Sequence, residues 1–505
     1  MMVRSWLRPS SSRLYWLTLA LVVKGLFFCW YLTQTYKHDI DGFWGQSNGD
    51  MMTYIQPVEE LLLHHGFKTD DRMPGYSGVY LAFRLLFSPA VACNIIIVLQ
   101  LLMAVVSVYA LGLVARDLFQ SERAFYWAYF IYLFSPFASV FDSYFLTESF
   151  AASVSIFFLY AWIRFEQNPD RRLPLLVAGA WLTWSVFLKP AHLPLLAIPM
   201  AVWTIRWLRG RLVLRQLARY SFTFLLPFLI VDGAWMIRNY RQYGEVIPLL
   251  KNPWYANAFW PTNYFDMMAF CQTYGEDFAF WFPNTDLRWL MGWGNNRYLP
   301  PLRWYVDEQL GPPPNYVYTD KFNRDSMIQI RELYFELGNN PNIDSLRKQM
   351  LESQVRAKLG RYTRSVREDN PLVYYVWSPV RYLFTFLHGT WGYSFLDDMI
   401  PAHWPRLLLR LYHYALVLIP GLVGLVLLLR RGWRKNDILL FLPMAVGYCV
   451  FVYAFALRHA ETRYLVPFYP FLVLSAVSVF TAIRSRRPTQ QPSLYDLSFR
   501  HSADL

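Results

Sequence analysis

The stretch L14-Y-W-L-T-L-A-L-V-V-K-G-L-F-F-C-W-Y-L32 decides the fold class of this chain. It is an almost unbroken apolar run of about 20 residues, the length that a helix needs to cross the hydrocarbon core of a bilayer. Apolar runs of similar length recur along the 505 residues, of which 55% are hydrophobic and 19% aromatic. The pattern predicts an all-α polytopic membrane protein.

Arginine and lysine residues gather in short hydrophilic turns between the apolar runs. Their groups lie at residues 4–13, 116–123, 164–172, 206–219, 430–435 and 484–487. Every second turn is basic, which is the pattern of cytoplasmic loops under the positive-inside rule. The net charge of +13 therefore reports topology, and the expected partner is the lipid bilayer rather than a nucleic acid.

Placing the basic turns in the cytoplasm predicts about ten membrane-spanning helices with both chain ends on that side. The spans are expected at 14–34, 92–115, 124–141, 147–165, 173–189, 191–207, 220–237, 406–429, 437–457 and 464–483. Shorter helices are expected at 53–65, 77–87 and 321–360. The predicted parts are an N-terminal membrane module (1–239) with a first outer loop (35–90), an exterior region (240–405) with an interfacial helix (371–387), C-terminal spans (406–484) and a cytoplasmic tail (485–505).

Polar residues gather at the ends of spans that this topology places on the outer face. Asp50 lies in S47-N-G-D-M-M-T-Y54, just beyond the first span, and Arg72 begins R72-M-P-G-Y76. Glu148 opens the fourth span in L146-T-E148, and Asp142 lies in the turn before it. Further cations are Lys189 in L188-K-P190, Arg238 in W235-M-I-R-N239, and Arg463, which follows Glu461 in R458-H-A-E-T-R463.

These charges also have simpler interpretations. A carboxylate at a helix start can cap backbone N–H groups or favour the helix dipole, which would suffice for Asp50 and Glu148. Cations at the membrane surface can contact lipid headgroups. Arg72 is less easily explained in this way, because M73-P-G-Y76 holds its backbone in a turn.

In their order, these motifs resemble the GT-C superfamily of integral-membrane glycosyltransferases, and most closely its branch of protein O-mannosyltransferases and lipid A aminoarabinose transferases. The likeness covers residues 14–250 and 437–483, where R463-Y-L-V-P-F-Y-P470 matches the family's late-helix motif. Two departures stand out. Met51 follows Asp50 where family members often have a second acid, and Glu148 stands where aspartate is common.

The resemblance implies a GT-C helical bundle that transfers a sugar from a polyprenyl phosphate to an acceptor with inversion. A phosphate leaving group is already a stable anion, so the reaction needs a base near the acceptor and cations on the phosphate. No cofactor or metal is expected. Asp50 is the expected base, with Glu148 or Asp142 as a second acid. Residues expected at the donor phosphate are Arg72, Lys189, Arg238, Arg463 and Tyr464, and Tyr76 and Glu461 are expected nearby.

The acceptor stays open between a lipid, a glycan and a protein of the cell envelope. Region 240–405 is expected to recognise it, or to act only as a lid over the donor. The expected location is a bacterial inner membrane, with the site facing the periplasm. Two other classes compete with a transferase, namely a transporter or flippase of lipid-linked saccharide and a noncatalytic assembly subunit. A transporter predicts ionisable residues near the bilayer midplane and repeated halves, whereas the acids here are expected to cluster at one mouth of the bundle and the sequence shows no internal repeat.

Overall fold

The computed structural model describes most of the chain. The described residues are 13–33, 40–47, 50–64, 66–67, 72–250, 263–276, 289–290, 312–339, 343–384, 386–387, 403–434, 436–459 and 462–482. Over these residues the secondary structure is helical, and only isolated bridges occur in place of β-strands. The all-helical fold class is thereby confirmed.

The first half of the described chain contains ten α-helices. They are α1 (Arg13–Leu32), α2 (Met51–Leu62), α3 (Pro74–Arg84), α4 (Pro89–Phe119), α5 (Glu122–Leu133), α6 (Pro136–Val140), α7 (Thr147–Gln167), α8 (Leu173–Leu188), α9 (Ala197–Leu208) and α10 (Leu214–Tyr243). A 3₁₀ turn, Phe141–Ser143, follows α6, and a longer one, Pro190–Leu196, joins α8 to α9. Proline near the start of α3, α4 and α8 suits a position where no backbone N–H is needed.

The later helices are shorter and more often interrupted. They are α11 (Tyr264–Gln272), α12 (Arg324–Asn339), α13 (Ser345–Asp369), α14 (Ser378–Phe384), α15 (His403–His413), α16 (Ile419–Arg434), α17 (Phe441–Val450) and α18 (Tyr469–Ala482). The helix expected at 321–360 is thus two helices, α12 and α13. The expected interfacial helix at 371–387 is a π-helical turn, Val373–Trp377, followed by α14.

Six helical stretches in the described part of the chain are long and apolar enough to cross a membrane. They are Arg13–Leu32, Pro89–Phe119, Pro190–Leu208, Leu214–Tyr243, Leu407–Arg434 and Asp437–Ala456. A seventh exists if Glu122–Leu133 and Pro136–Ser143, which are bent by 61°, form one broken span. Leu173–Leu188 and Tyr469–Ala482 are apolar but shorter. The chain therefore has the character of a multi-pass membrane protein, and the number of about ten spans remains a prediction.

The chain divides into two compact units. One comprises Met1–Pro253, Phe395–Gly447 and Arg463–Leu505, and the other comprises Trp254–Ser394 and Tyr448–Thr462. In the first unit α7 is buried along most of its length and packs against α4 and α8. The second unit has an apolar core of its own, in which the rings of Phe322 and Tyr362 stack at 4.6 Å.

Candidate functional site

Asp50 lies at the start of α2 and is held by two arginines. Its Oδ1 accepts a hydrogen bond of 2.8 Å from Nη2 of Arg72, and its Oδ2 accepts one of 2.5 Å from Nη1 of Arg463. The Asp50 side chain is only 3% exposed. Both carboxylate oxygens are therefore engaged by guanidinium groups in a buried setting, which stabilises the ionised form.

A second ion pair lies beside the first. Glu148, in the first turn of α7, accepts a hydrogen bond of 2.7 Å from Nζ of Lys189, and its side chain is 1% exposed. Nε of Arg463 lies 3.9 Å from Oε1 of the same glutamate. Arg463 thus joins the two acids into one group, here called the charge cluster: Asp50, Arg72, Glu148, Lys189 and Arg463.

The charge cluster has three cations and two carboxylates, so its formal charge is +1 when all five groups are ionised. The two carboxylates are buried, the Lys189 and Arg463 side chains are each 12% exposed, and the Arg72 side chain is 26% exposed. Access from solvent is therefore greatest beside Arg72. An excess cation in a partly buried group favours the binding of an anion.

Tyrosine rings line the charge cluster. Tyr464 lies against both Lys189 and Arg463, whose charged atoms are 4.8 Å and 5.5 Å from the ring centre. Arg72 lies 5.4 Å from the ring centre of Tyr54. Burial raises the pKa of Tyr54 to about 12, so its hydroxyl stays protonated at neutral pH. These rings restrict the cations sterically and add cation–π attraction.

Tyr76 packs behind the charge cluster rather than within it. Its ring is fully buried 5.0 Å from that of Tyr54, and its hydroxyl donates to Oε1 of Gln100 at 2.7 Å. Burial raises the pKa of Tyr76 above its usual value. The geometry gives Tyr76 a supporting position, because its only polar atom is directed toward Gln100.

The cations of the charge cluster are brought together by a close helix contact at Gly75. A Cβ atom at this position would lie 2.4 Å from the carbonyl carbon and oxygen of Phe187. The Gly75 carbonyl also accepts a hydrogen bond of 3.1 Å from Nε1 of Trp184. Because Arg72 precedes α3 and Lys189 follows α8, this approach explains why the R72-M-P-G motif and the L188-K-P break share one site.

The two acids are connected by a short backbone pairing that the sequence did not reveal. The Gln46 amide donates to the Ser143 carbonyl at 2.8 Å, and the Gln46 carbonyl accepts from the Phe145 amide at 2.9 Å. The Gln46 side chain donates to the Tyr31 carbonyl at 2.6 Å. The loop before Asp50 is therefore attached to the turn before Glu148. A single glutamine in a short polar loop gave little signal of this pairing in the sequence.

The capping interpretation fails for Asp50. Its side chain makes no capping hydrogen bond to the first turn of α2 and bonds the two arginines instead. Glu148 does lie in the first turn of α7, where an acid favours the dipole, and it also binds Lys189. Glu148 therefore both interacts favourably with the dipole of α7 and forms an ion pair with Lys189.

Asp142 belongs to a different ion pair. Its carboxylate accepts hydrogen bonds from Nζ of Lys24 at 3.1 Å and from Oγ of Ser149 at 2.6 Å. The Lys24 side chain is 0% exposed within α1, and Nζ also donates to the Ala138 carbonyl. Among the described residues, the acid that contacts the cations near Asp50 is Glu148. Lys24 was missed because a single lysine in an apolar run shows no partner in the sequence.

The contacts of Arg238 are with residues outside the charge cluster. Its guanidinium carbon is 4.6 Å from the ring centre of Trp235 and 5.6 Å from that of Tyr243, and Nη1 donates to the Asn239 side chain. Phe67 adds a third ring at 5.9 Å. The expected site residue Glu461 lies outside the described residues.

An apolar groove of about 520 Å³ lies between helices whose ends carry two cations of the charge cluster. Helices α3, α8 and α10 form it, and its lining includes Pro74, Gly75, Trp184, Phe187, Pro227 and Trp235. Two of these positions lie within two residues of Arg72 and Lys189 along the chain. A hydrocarbon chain in the groove would therefore pass near the segments that carry two cations.

In the part of the chain that the structure describes, no group of three or more His, Cys, Asp or Glu residues could hold a metal ion. The site is thus a constellation of ion pairs beside an apolar groove. No protein-family model matches the chain, and no curated protein matches it.

Proposed function

We propose that this chain is a GT-C-type membrane glycosyltransferase that moves a sugar from a polyprenyl phosphate to an envelope acceptor, with inversion. The observation that carries the proposal is the burial of Asp50 between Arg72 and Arg463, beside the Glu148–Lys189 pair. Ionisable groups gathered in a membrane protein are costly and mark functional sites. An assembly subunit would have no use for such a group.

The donor phosphate is assigned to the cations of the charge cluster. Three cations face two carboxylates, so an added phosphate offsets the remaining positive charge. Arginine suits this role because its planar guanidinium can donate two parallel hydrogen bonds to phosphate oxygens. The greater exposure of Arg72 supports the entry of the phosphate on that side.

The prenyl chain of the donor is assigned to the groove between α3, α8 and α10. Its lining is apolar, which suits a hydrocarbon, and its wall at Gly75 and Phe187 adjoins the segments that carry Arg72 and Lys189. A lipid phosphate has this same arrangement of an anion at one end of an apolar chain. The match of shape and chemistry supports a lipid-linked donor over a soluble nucleotide sugar.

In the proposed reaction Asp50 accepts the proton of the acceptor hydroxyl or amine. The acceptor atom attacks the anomeric carbon of the sugar, and the bond from that carbon to the phosphate oxygen breaks. Its electron pair leaves with the polyprenyl phosphate, whose negative charge is stabilised by Arg72, Lys189 and Arg463. Attack opposite the leaving group inverts the configuration, and no further acid is needed for an anionic leaving group.

The proposed setting is a bacterial inner membrane, with the charge cluster on the periplasmic side. The unit Trp254–Ser394 with Tyr448–Thr462 is assigned to the acceptor, which is a lipid, a glycan or a protein. Its own apolar core supports an independent recognition role. A flippase for the same lipid would also need the cations, but it would not need Asp50 as a base.

The test compares Asp50→Asn with Glu59→Gln in purified protein. Asp50 directly precedes α2 and Glu59 lies within it, and Glu59 pairs with Arg84 rather than with the charge cluster. With a radiolabelled polyprenyl-phosphate sugar and envelope extract as acceptor, Asp50→Asn should lower the rate by about 10²–10⁴. Binding of the polyprenyl phosphate should persist or tighten, because the charge cluster then carries one more net positive charge.

Glu59→Gln should leave the transfer rate unchanged and so serves as the matched control. Sugar transfer by Asp50→Asn at the wild-type rate would rule out its role as a base. Loss of both transfer and lipid-phosphate binding would instead show that Asp50 has a structural role. Transport of the lipid-linked sugar across vesicles without transfer would favour a flippase.

A further inference from the structure

A second group of charges lies at the opposite end of α7 from the charge cluster. Glu166 is 18 residues beyond Glu148, which places it about 27 Å along the helix axis. Nη1 of Arg206 donates to Glu166 at 2.6 Å, and Nε1 of Trp203 donates to the same carboxylate at 2.9 Å. Both oxygens of Glu166 are therefore engaged within the bundle.

Asp437 is the second carboxylate of this group. It is fully buried, and it accepts hydrogen bonds from Nη1 of Arg209 and, at 3.2 Å, from Nη1 of Arg211. Nε of Arg206 lies 3.8 Å from it. Three arginines thus face two carboxylates, and among the described residues Arg209 and Arg211 have Asp437 as their one acidic partner.

The outward sides of Arg209 and Arg211 reach the surface. Their side chains are 21% and 42% exposed, whereas Asp437 is buried beneath them. A guanidinium group has five N–H donors, so one shared carboxylate leaves donor capacity on both arginines. Both arginines can therefore donate hydrogen bonds to one more anion from outside.

Exposed apolar side chains flank these two arginines. Trp433 lies 4.7 Å from the guanidinium of Arg209 and is 63% exposed. Leu208 is 71% exposed and Val213 is 61% exposed, on either side of the turn that carries both arginines. A small free anion would gain nothing from such residues, whereas a phospholipid places acyl chains against them and its phosphate on the arginines.

We propose that Arg209 and Arg211, set on Asp437 and flanked by Trp433, bind the headgroup phosphate of an anionic phospholipid. The site lies in the bilayer leaflet at the end of α7 remote from Asp50. It is independent of the proposed transferase reaction, because its residues take no part in the charge cluster.

The experiment titrates the detergent-solubilised protein with short-chain phosphatidylglycerol and, in parallel, with phosphatidylcholine, and counts bound lipids by native mass spectrometry. Phosphatidylglycerol should bind more tightly. Arg211→Gln should weaken its binding about tenfold, in line with the loss of one charge-assisted hydrogen bond. Arg209 is expected to keep its pair with Asp437 in this variant, so the fold should be retained. Arg209→Gln with Arg211→Gln should abolish the preference.

The matched control is Arg171→Gln with Arg172→Gln. These exposed arginines lie in the turn after α7, at the same end of the bundle, and their removal changes the net charge by the same amount. An equal loss of phosphatidylglycerol in this control would show diffuse charge attraction and overturn the proposal. Equal affinity for both lipids, or displacement by inorganic phosphate at similar concentration, would overturn it as well.

Discussion

Substitution of Gly75 by alanine tests how the charge cluster is assembled. The new methyl carbon would lie 2.4 Å from the carbonyl carbon and oxygen of Phe187 and 2.7 Å from the amide nitrogen of Leu188. Non-bonded carbon atoms rest about 3.5–4.0 Å apart, so α3 must withdraw by about 1 Å. These contacts are backbone atoms of α8 and cannot rotate away. The cost of such overpacking is about 1–3 kcal/mol.

The displacement should affect the site as well as stability. Arg72 precedes α3 and Lys189 follows α8, so separation of the two helices moves the two cations apart. The hydrogen bond from Trp184 to the Gly75 carbonyl would also weaken, for a further loss of about 1 kcal/mol. Misplacement of a catalytic arrangement by about 1 Å can cost ~10²-fold in rate. We therefore expect Gly75→Ala to be destabilised and slow in sugar transfer.

The control is Gly78→Ala in the same helix. No atom lies within 4 Å of a Cβ built at Gly78, and alanine in a helix interior is favoured over glycine by about 0.5–1 kcal/mol. Thermal unfolding in one detergent should therefore rank Gly78→Ala at or above wild type and Gly75→Ala below it. If both variants unfold at the same temperature and bind polyprenyl phosphate with equal affinity, the Gly75 contact does not assemble the site.

Two further predictions concern the buried Lys24–Asp142 ion pair and the unit formed by 254–394 and 448–462. Lys24→Met leaves Asp142 without its cation and should lower the free energy of unfolding by about 3–5 kcal/mol, and adding Asp142→Asn should restore part of it in thermal unfolding. Equal stability of the single and the double variant would contradict this. A chimera with a related enzyme that exchanges 254–394 together with 448–462 should change the acceptor and keep the donor; a chimera that loses only rate would indicate a lid.

Much of the charge cluster could be predicted because helix ends can be read from sequence. Arg72 and Lys189 are marked by prolines that start or break helices, and Asp50 follows the end of an apolar run. Residues at the same end of neighbouring helices are expected to lie close together, so their meeting at one site could be predicted. Arg463 was expected among the cations, but its position between Asp50 and Glu148 depends on packing that no motif encodes.

The partners of single polar residues could not be predicted. Lys24 lies in the stretch that identifies the first span, and which residue it meets depends on the rotation of α1 about its axis. The choice between Glu148 and Asp142 could not be made for the same reason. Both lie at or just before the start of α7, and the packing of α1 and α8 determines which cation each one contacts. Arg238 was expected at the phosphate and instead contacts aromatic rings.

In the proposed reaction Asp50 is the proton acceptor, and its ion pairs hold it until the donor binds. Arg72 and Arg463 occupy both oxygens of Asp50 in this structure. A carboxylate so engaged is shielded from an incoming acceptor, because both of its oxygens already accept hydrogen bonds from guanidinium groups. In the proposed reaction a donor phosphate competes for the same guanidinium donors and releases Asp50 toward the acceptor. Proton transfer would then depend on donor binding.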